Sequence, residues 1–306
     1  MHVLITGATG FIGRQVCRHL ADEGHVVSAL TRGSPERCMA TTDVARAWTW
    51  QSERELPPPE SLTGQDAVIH LAGESIKGRW TAKKKRAILD SRVLGTRHLV
   101  RALSEAAPRP GVLLTASAHG YYGDRGDEVL TEDADSGSDF VARVCREWEN
   151  ESHAAQQLGV RTVQLRLGLV MGAGGALGPL RLISSMGIGG ALGDGRQWWS
   201  WIHVDDLARL CGFALTHDVR GPLNAASPHP VRQQDFARAL GAVLGRPSAV
   251  PTPAFALRLT LGEFSTELLA SRRLDTTRTR DLGFSFTHPE LQPTLEHLCV
   301  SRSRSD

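Results

Sequence analysis

VLITGATGFIG occupies residues 3–13 and decides how the first part of this chain folds. Its apolar and β-branched residues lead into Gly7, and Gly10 and Gly13 follow at regular intervals. The pattern predicts a buried strand, a glycine turn and a helix. Gly7 permits the tight turn, Gly10 lets the backbone approach a pyrophosphate, and Gly13 lets the helix pack closely on the sheet. We therefore expect a dinucleotide at the N-terminus of this helix, with a purely structural glycine turn as the alternative. The other loop residues assigned to the cofactor are Thr9, Phe11 and Ile12.

The composition is that of an ordinary globular protein. The chain has 306 residues, of which 41% are hydrophobic and 22% are charged, enough for one large α/β domain with a smaller attachment. Its formal net charge of +2 gives no reason to expect a nucleic-acid partner. The five cysteines are scattered and lack Cys-x-x-Cys spacing, which favours reduced thiols over disulfides and predicts no metal site.

The cellular location follows from what the sequence does not contain. No apolar run approaches the length of a membrane span, so we expect no membrane partner. The first strand starts at residue 2 or 3 and leaves no room for a signal peptide. These observations predict a cytoplasmic protein, and they leave its oligomeric state open between monomer and homodimer.

Strands and helices alternate through the first half of the chain. Further strands are predicted at 25–30, 46–50, 66–73, 112–117 and 160–170, and helices at 80–106 and 140–158. This order is typical of a Rossmann-type α/β fold, a doubly wound parallel sheet with helices on both faces. Ligands of such sheets bind at the carboxyl ends of the strands.

The composition of the sequence changes after residue 171, where glycine becomes frequent. We expect a dinucleotide-binding Rossmann domain at 1–170, to which residues 196–227 return. The glycine-rich segment 171–195 and residues 228–300 would form a smaller, mainly helical region on the substrate side. Residues 301–306 would be a flexible tail.

The end of the second strand indicates which nicotinamide cofactor is bound. Enzymes that use NAD place a carboxylate there to accept a hydrogen bond from the adenosine ribose. This chain instead has Thr31 and Arg32, and a guanidinium can pair bidentately with a 2′-phosphate. The sequence therefore favours NADP(H), unless Arg32 is merely a surface arginine.

Several motifs in order identify a family resemblance. They are GATGFIG at 7–13, LAGESI at 71–76, DSRVLGT at 90–96, SAHGYYGD at 117–124 and WIHVDD at 201–206. Together they resemble the extended, atypical short-chain dehydrogenase/reductases, and more closely the "epimerase family" proteins that end in a small domain of unknown function. PAFALR at 253–258 resembles the start of that domain. The resemblance implies a Rossmann domain and an NADP cofactor.

The resemblance also implies cofactor contacts beyond the glycine loop. Leu71 and Ala72 would lie under the adenosine-side ribose and the pyrophosphate, Arg92 would approach from the long helix, and Val170 would line the nicotinamide end. Ordinary strand-end packing and a solvated helix arginine are the alternatives. Gly73 and Glu74 complete the predicted cofactor set, with Glu74 as the carboxylate expected near the nicotinamide.

The catalytic pair of this superfamily is missing from its expected helix. The resemblance implies a serine followed by Tyr-x-x-x-Lys, and Ser117 fits the first position. Phe140 and Val144 occupy the positions of the tyrosine and the lysine. Tyr121 and Tyr122, which are the chain's two tyrosines, lie just after the serine. Either phenol could replace the missing proton donor, or both could be structural.

His203 is the remaining candidate for catalysis. It follows a tryptophan-rich stretch and precedes Asp205 and Asp206. It could face the substrate, or it could begin a helix whose first turn carries the two aspartates near the positive end of the dipole. Arg166, on a predicted buried strand, requires a carboxylate or phosphate partner.

The sequence therefore predicts an NADP-binding oxidoreductase-like protein that acts on a small carbonyl, polyol or nucleotide-sugar substrate. An epimerase-type isomerase that retains its cofactor is one alternative. The other alternative is a non-catalytic protein that responds to NADPH and acts through a partner. The absence of the catalytic Tyr and Lys favours this alternative.

Overall fold

A computed structural model describes residues 1–300 of the chain. The tail predicted at 301–306 lies outside the described residues. The strands are β1 (His2–Thr6), β2 (Val26–Thr31), β3 (Arg46–Thr49), β4 (Ala67–His70), β5 (Val112–Ala118), β6 (Val129–Leu130), β7 (Arg161–Leu167), β8 (Leu169–Met171), β9 (Trp198–Trp199), β10 (Trp201–His203), β11 (Gly221–Ala225), β12 (Val231–Arg232) and β13 (Arg273–Leu274). The helices are α1 (Phe11–Asp22), α2 (Pro35–Thr41), α3 (Pro59–Leu62), α4 (Ala82–Glu105), α5 (Phe140–His153), α6 (Leu177–Ser185), α7 (Val204–Thr216), α8 (Gln233–Leu244), α9 (Ala254–Leu261), α10 (Ser265–Leu269), α11 (Thr277–Asp281) and α12 (Leu291–Val300).

A parallel sheet is the centre of the molecule. Across residues 1–300 it has seven strands in the order β11-β7-β5-β4-β1-β2-β3. The chain runs from β1 to β2 and β3 on one side and then crosses to β4 on the other side of β1, so the order reverses between β1 and β4. This reversal is the place where doubly wound sheets bind their ligands. The predicted Rossmann-type fold is confirmed, and the glycine loop after β1 opens at this point.

Helices cover both faces of the sheet and create two apolar layers. On one face α1 and α7 bury side chains such as Leu20 and Leu207 against the strands. On the other face α4 buries Leu99 and Leu103. The strands of a sheet covered on both sides are buried along their whole length, as Ala67–His70 of β4 are.

The glycine loop packs as the sequence predicts. Gly7 has a φ of +76°, a left-handed conformation that strains other residues. A side chain at Gly13 would place its Cβ only 2.1 Å from the carbonyl oxygen of Gly7. Glycine is therefore required at both positions, because helix α1 and the turn approach each other too closely for a Cβ.

Two predicted elements are interrupted in the structure. The strand expected at 160–170 breaks at Gly168, because the backbone there lies against Ser200 and a Cβ would come 2.7 Å from the Ser200 carbonyl oxygen. The chain leaves the central sheet at this glycine and pairs β8 with β10 instead. The helix expected at 140–158 ends at His153, and a 3-10 turn continues to Leu158.

The C-terminal region is attached to the sheet through the start of α7. Asp206 is fully buried, and its carboxylate accepts hydrogen bonds from the backbone N–H groups of Thr287 and His288 at 2.8 and 2.7 Å. Arg209 donates a third hydrogen bond to the same carboxylate at 2.9 Å. This aspartate therefore fixes the segment between α11 and α12 against the Rossmann domain.

Two further expectations concern cysteines and membranes. All five cysteines are free thiols. Among the helices of residues 1–300, none combines the length and the apolar character that crossing a bilayer requires.

Candidate cofactor and substrate site

Two cavities meet at the glycine loop. The first has a volume of about 470 Å³ and the second of about 490 Å³. Both are lined by Gly7, Gly10 and Leu71. They therefore form one continuous groove over the carboxyl ends of the strands, which is the shape that an extended dinucleotide requires.

The first cavity lies beside the end of β2 and is rich in arginine. It is lined by Thr31 and Arg32, and also by Arg14, Ser34 and Arg37, which the sequence analysis did not select. The Arg32 side chain is 67% exposed, so its guanidinium is available to a ligand. The further predicted residues that line this cavity are Thr9, Ala72, Gly73 and Glu74.

Glu74 lies in this first cavity and does not line the second one. Its carboxylate accepts a hydrogen bond from Lys84 at 2.6 Å and lies 3.9 Å from the Arg32 guanidinium. The hydrogen bond from Lys84 lowers the pKa of the Glu74 carboxyl below its ordinary value. Glu74 is therefore turned towards Lys84 and Arg32 in the first cavity, and this geometry does not favour the expected place near the nicotinamide.

The second cavity extends from the glycine loop towards the ends of β5 and β7. The predicted cofactor residues that line it are Phe11, Ile12, Gly13, Arg92 and Val170.

Arg92 is fixed in the wall of the second cavity. Its Nη1 donates hydrogen bonds to the carbonyl oxygens of Glu74 and Ile88, at 2.9 and 3.1 Å. Its guanidinium lies 5.1 Å from the centre of the Trp148 ring. These contacts hold the positive charge in one place, so Arg92 is not the solvated helix residue of the alternative reading.

Ser117 lies in the wall of the second cavity at the end of β5. Its hydroxyl donates a hydrogen bond of 2.5 Å to Glu149 Oε1. Glu149 is in turn paired with Arg166 through two hydrogen bonds, at 3.0 and 2.9 Å. Glu149 is therefore the carboxylate partner that the buried Arg166 required. The Ser117 hydroxyl donates its hydrogen to Glu149, and its two lone pairs remain available as acceptors.

Neither tyrosine lines the second cavity. Tyr122 is fully buried; its hydroxyl donates to Asn224 at 2.7 Å and accepts from Arg166 at 3.0 Å. Burial raises the pKa of Tyr122 to about 12. Tyr121 packs its ring 3.5 Å from the Arg166 guanidinium. Both phenols therefore belong to the network behind Ser117, and their positions do not fit the proton-donor role considered for them.

His203 also lies outside both cavities. It is buried at the start of α7, where Nδ1 accepts a hydrogen bond from the Asp205 backbone N–H at 3.1 Å. Burial lowers the pKa of His203 to about 4. The ring therefore caps the helix, which begins at Val204, and the aspartates follow in its first turn. The helix-start alternative agrees with this geometry, and the substrate-facing one does not.

The positions of the missing catalytic pair are apolar in the structure as well. Val144 lines the second cavity, and the Phe140 ring packs edge-on against Trp80 at 5.3 Å.

Polar groups enter the second cavity from places that sequence reasoning missed. His119 and Trp148 line it, and His119 Nδ1 and Trp148 Nε1 have no hydrogen-bond partner among residues 1–300. Burial lowers the pKa of His119 to about 3, so its ring is neutral. His119 follows Ser117 by two residues, and this spacing on an extended segment is a signal that could have identified it. Lys77 and Glu267 complete the polar lining.

The fold and the groove together define a dinucleotide-binding protein of the Rossmann type. Residues 3–226 match the NAD dependent epimerase/dehydratase family, and residues 252–298 match a domain of unknown function, DUF1731. The chain belongs to the NAD dependent epimerase/dehydratase family. The resemblance to the extended short-chain dehydrogenase/reductases and to the epimerase family proteins is thereby confirmed.

Individual relatives cover almost the whole chain. The chain is 39% identical to the chloroplastic epimerase family protein SDR39U1 homolog of Arabidopsis thaliana, over 96% of this chain and 86% of that protein. A crystal structure of human epimerase family protein SDR39U1 with NADPH is similar, with a TM-score of 0.85, 30% identity and coverage of 97% of this chain and 99% of that one. A nucleoside-diphosphate sugar epimerase from Corynebacterium glutamicum has a TM-score of 0.79 and 33% identity, over 97% of this chain and 58% of that one.

Proposed function

We propose that the protein is an NADPH-dependent oxidoreductase that acts on a small carbonyl, polyol or nucleotide-sugar substrate. The main support for NADPH over NADH is the arginine-lined cavity at the end of β2. Arg32, Arg14 and Arg37 line this cavity, where we expect the 2′-phosphate to bind. The nearby Glu74 carboxylate is paired with Lys84, so its charge is balanced within the protein. The similar human protein was crystallised with NADPH, which supports the same choice here.

The residues of the groove fit the remainder of the cofactor. The loop at Gly10 provides room for the pyrophosphate, and Val170 and Ser117 line the cavity where the nicotinamide end would lie. When bound, the nicotinamide supplies or accepts a hydride. We therefore propose that the substrate binds in the second cavity.

The chain's own groups would orient the substrate in three ways. The Ser117 lone pairs can accept a hydrogen bond from a substrate hydroxyl, because the serine hydrogen is already donated to Glu149. The rings of His119 and Trp148 contribute surface to the same wall and limit the shape of the substrate. Apolar residues such as Val144 exclude water from the same wall.

The later part of the chain completes this cavity. Gly175 and Ala176 line it from segment 171–195, and Glu267 lines it from the C-terminal region. We therefore propose a substrate-side role for 171–195 and 228–300, while 1–170 and 196–227 form the cofactor domain. The free cysteines support a reducing compartment such as the cytoplasm.

Replacing Arg32 with alanine should weaken NADPH binding and leave NADH binding nearly unchanged. The expected loss is about 1.5–3 kcal/mol, the contribution of a charge-assisted hydrogen bond to the 2′-phosphate. Titration of wild type and Arg32→Ala with both cofactors measures the difference. Arg18→Ala is the matched control, because Arg18 is an exposed arginine on α1 whose ion pair with Asp43 is 3.8 Å long and which does not line either cavity. Equal losses for NADPH and NADH would contradict the assignment.

Replacing Ser117 with alanine should lower turnover, whereas Tyr122→Phe should not. One neutral hydrogen bond to the reacting substrate is worth about 0.5–1.5 kcal/mol, or roughly a 2–10-fold change in rate. Tyr122→Phe should instead reduce the free energy of unfolding by about 1–3 kcal/mol, because the bonds to Asn224 and Arg166 are lost. Stopped-flow oxidation of bound NADPH against a panel of sugars, ketones and aldehydes provides the rates.

The same panel separates the alternative functions. Net oxidation of NADPH supports the oxidoreductase. Interconversion of a nucleotide sugar with tightly retained cofactor and no net redox change would identify an isomerase. Absence of turnover, combined with NADPH-dependent capture of a partner, would identify a non-catalytic binding protein. A fast Tyr122-dependent rate with an unaffected Ser117→Ala variant would overturn the assignment of Ser117.

A further inference from the structure

Three histidine rings meet at the start of α7, far along the sequence from one another. The rings of His203 and His288 are 4.0 Å apart between their centres. The ring of His297, on α12, lies 5.7 Å from His203 and 5.3 Å from His288. This histidine cluster joins the Rossmann domain to the C-terminal region.

The cluster contains a set of atoms with the spacing of metal ligands. One ring nitrogen of His203, one of His288 and one carboxylate oxygen of Asp205 all lie within 4.8 Å of one another. His203 is buried, whereas His288 and Asp205 are partly exposed, so an ion can reach the group from solvent.

The buried member of the set has an unsatisfied nitrogen. His203 Nε2 is fully buried and has no hydrogen-bond partner within residues 1–300. His203 Nδ1 already accepts the Asp205 backbone N–H, so Nε2 is the ring nitrogen that can bind an ion. A buried polar atom without a partner is costly, and it is commonly explained by an ion or ligand that is not present.

We propose that His203, His288 and Asp205 bind a divalent transition-metal ion, with Zn²⁺ as the representative case. Two imidazoles and a carboxylate are a ligand set that suits Zn²⁺, with water or another side chain in the remaining position. The expectation of no metal site rested on the spacing of cysteines, and it could not detect histidines brought together by folding.

The position of the ion defines its effect. None of the three residues lines either cavity of the groove. His203 belongs to the start of α7, and His288 precedes α12. A bound ion would therefore tie the two regions together and stabilise the folded protein, since a ligand that binds only the native state raises its stability.

Calorimetric titration of the tag-free protein with Zn²⁺ tests the proposal, together with thermal unfolding at increasing Zn²⁺ concentration. We expect saturable binding at one ion per chain and a midpoint temperature that rises with concentration. His288→Gln should lower the Zn²⁺ affinity by at least roughly tenfold, as loss of a metal-site residue does. His203→Asn should also lower the Zn²⁺ affinity by at least roughly tenfold. Helix α7 should remain capped in this variant, because asparagine is a good N-cap residue.

His153→Gln provides the matched control, because His153 is an exposed histidine at the end of α5. It should bind Zn²⁺ like the wild type. Absence of saturable binding would overturn the proposal, as would an affinity that both cluster variants retain. An equal response to Mg²⁺ would also overturn it, because Mg²⁺ prefers oxygen ligands over imidazole. NADPH affinity should be the same in all variants.

Discussion

Replacing Gly10 with valine should abolish NADPH binding while the protein stays folded. Gly10 lines both cavities, at the place where the pyrophosphate would cross the helix N-terminus. Its φ of −74° is accessible to any residue. The nearest atom to an added Cβ is the Gly7 carbonyl oxygen at 3.2 Å, a close contact that needs only a small shift. The valine side chain would therefore occupy the phosphate's place and weaken binding by at least ~1000-fold, or about 4 kcal/mol.

Fluorescence titration with NADPH, and circular dichroism to verify folding, measure the two parts of this expectation. Gly178→Val is the matched control, because a Cβ at Gly178 meets no atom within 4 Å and the residue lines neither cavity. A folded Gly10→Val protein with wild-type affinity would show that the loop does not hold the pyrophosphate. Gly13→Val would be uninformative, since its Cβ would collide with the loop itself.

Replacing Glu149 with alanine should cause the largest loss of stability. The side chains of Glu149 and Arg166 are 13% and 4% exposed, and they form two hydrogen bonds with each other. Removal of one partner from a buried ion pair leaves the other charge uncompensated, at a cost of about 3–5 kcal/mol. Ser117 would lose its acceptor at the same time.

Urea unfolding of wild type and variant measures this loss as a lower midpoint. Glu147→Ala is the matched control on the same helix, because the Glu147 side chain is 41% exposed and its pair with Arg143 is 3.8 Å long. Exposed pairs of this kind contribute about 0–1 kcal/mol. If the two variants lost equal stability, the Glu149–Arg166 pair would not be the buried support of the cavity wall.

The groove at the glycine loop was predictable because most of the residues expected there follow strands. A glycine loop after β1 and an arginine after β2 lie at the carboxyl ends of adjacent parallel strands, which necessarily meet at one edge of the sheet. Every residue predicted to contact the cofactor lines one of the two cavities, including Arg92 from α4 and Val170 from β8. The local pattern indicated the glycine loop and Arg32, whereas Arg92 and Val170 were expected there from the family resemblance.

The roles of polar side chains inside the fold were not predictable in the same way. Tyr122 has its acceptor on Asn224, 102 residues later. Glu74 turned towards Lys84 because that lysine begins the long helix facing it. The type of a residue determines which hydrogen bonds its side chain can donate or accept. Which group becomes its partner depends on how elements that are distant in the sequence pack together.

The sequence by itself determined the Rossmann fold, the glycine loop and the arginine at the end of β2, because alternating apolar periodicity and glycine spacing act over short distances along the chain. Only the tertiary structure decided that Ser117 donates a hydrogen bond to Glu149, and that His203 caps a helix and packs against the ring of His288. It also decided that Glu267 of the C-terminal region reaches the second cavity. These contacts join residues far apart in the sequence, and their geometry exists only once the sheet, its helices and the C-terminal region have packed together.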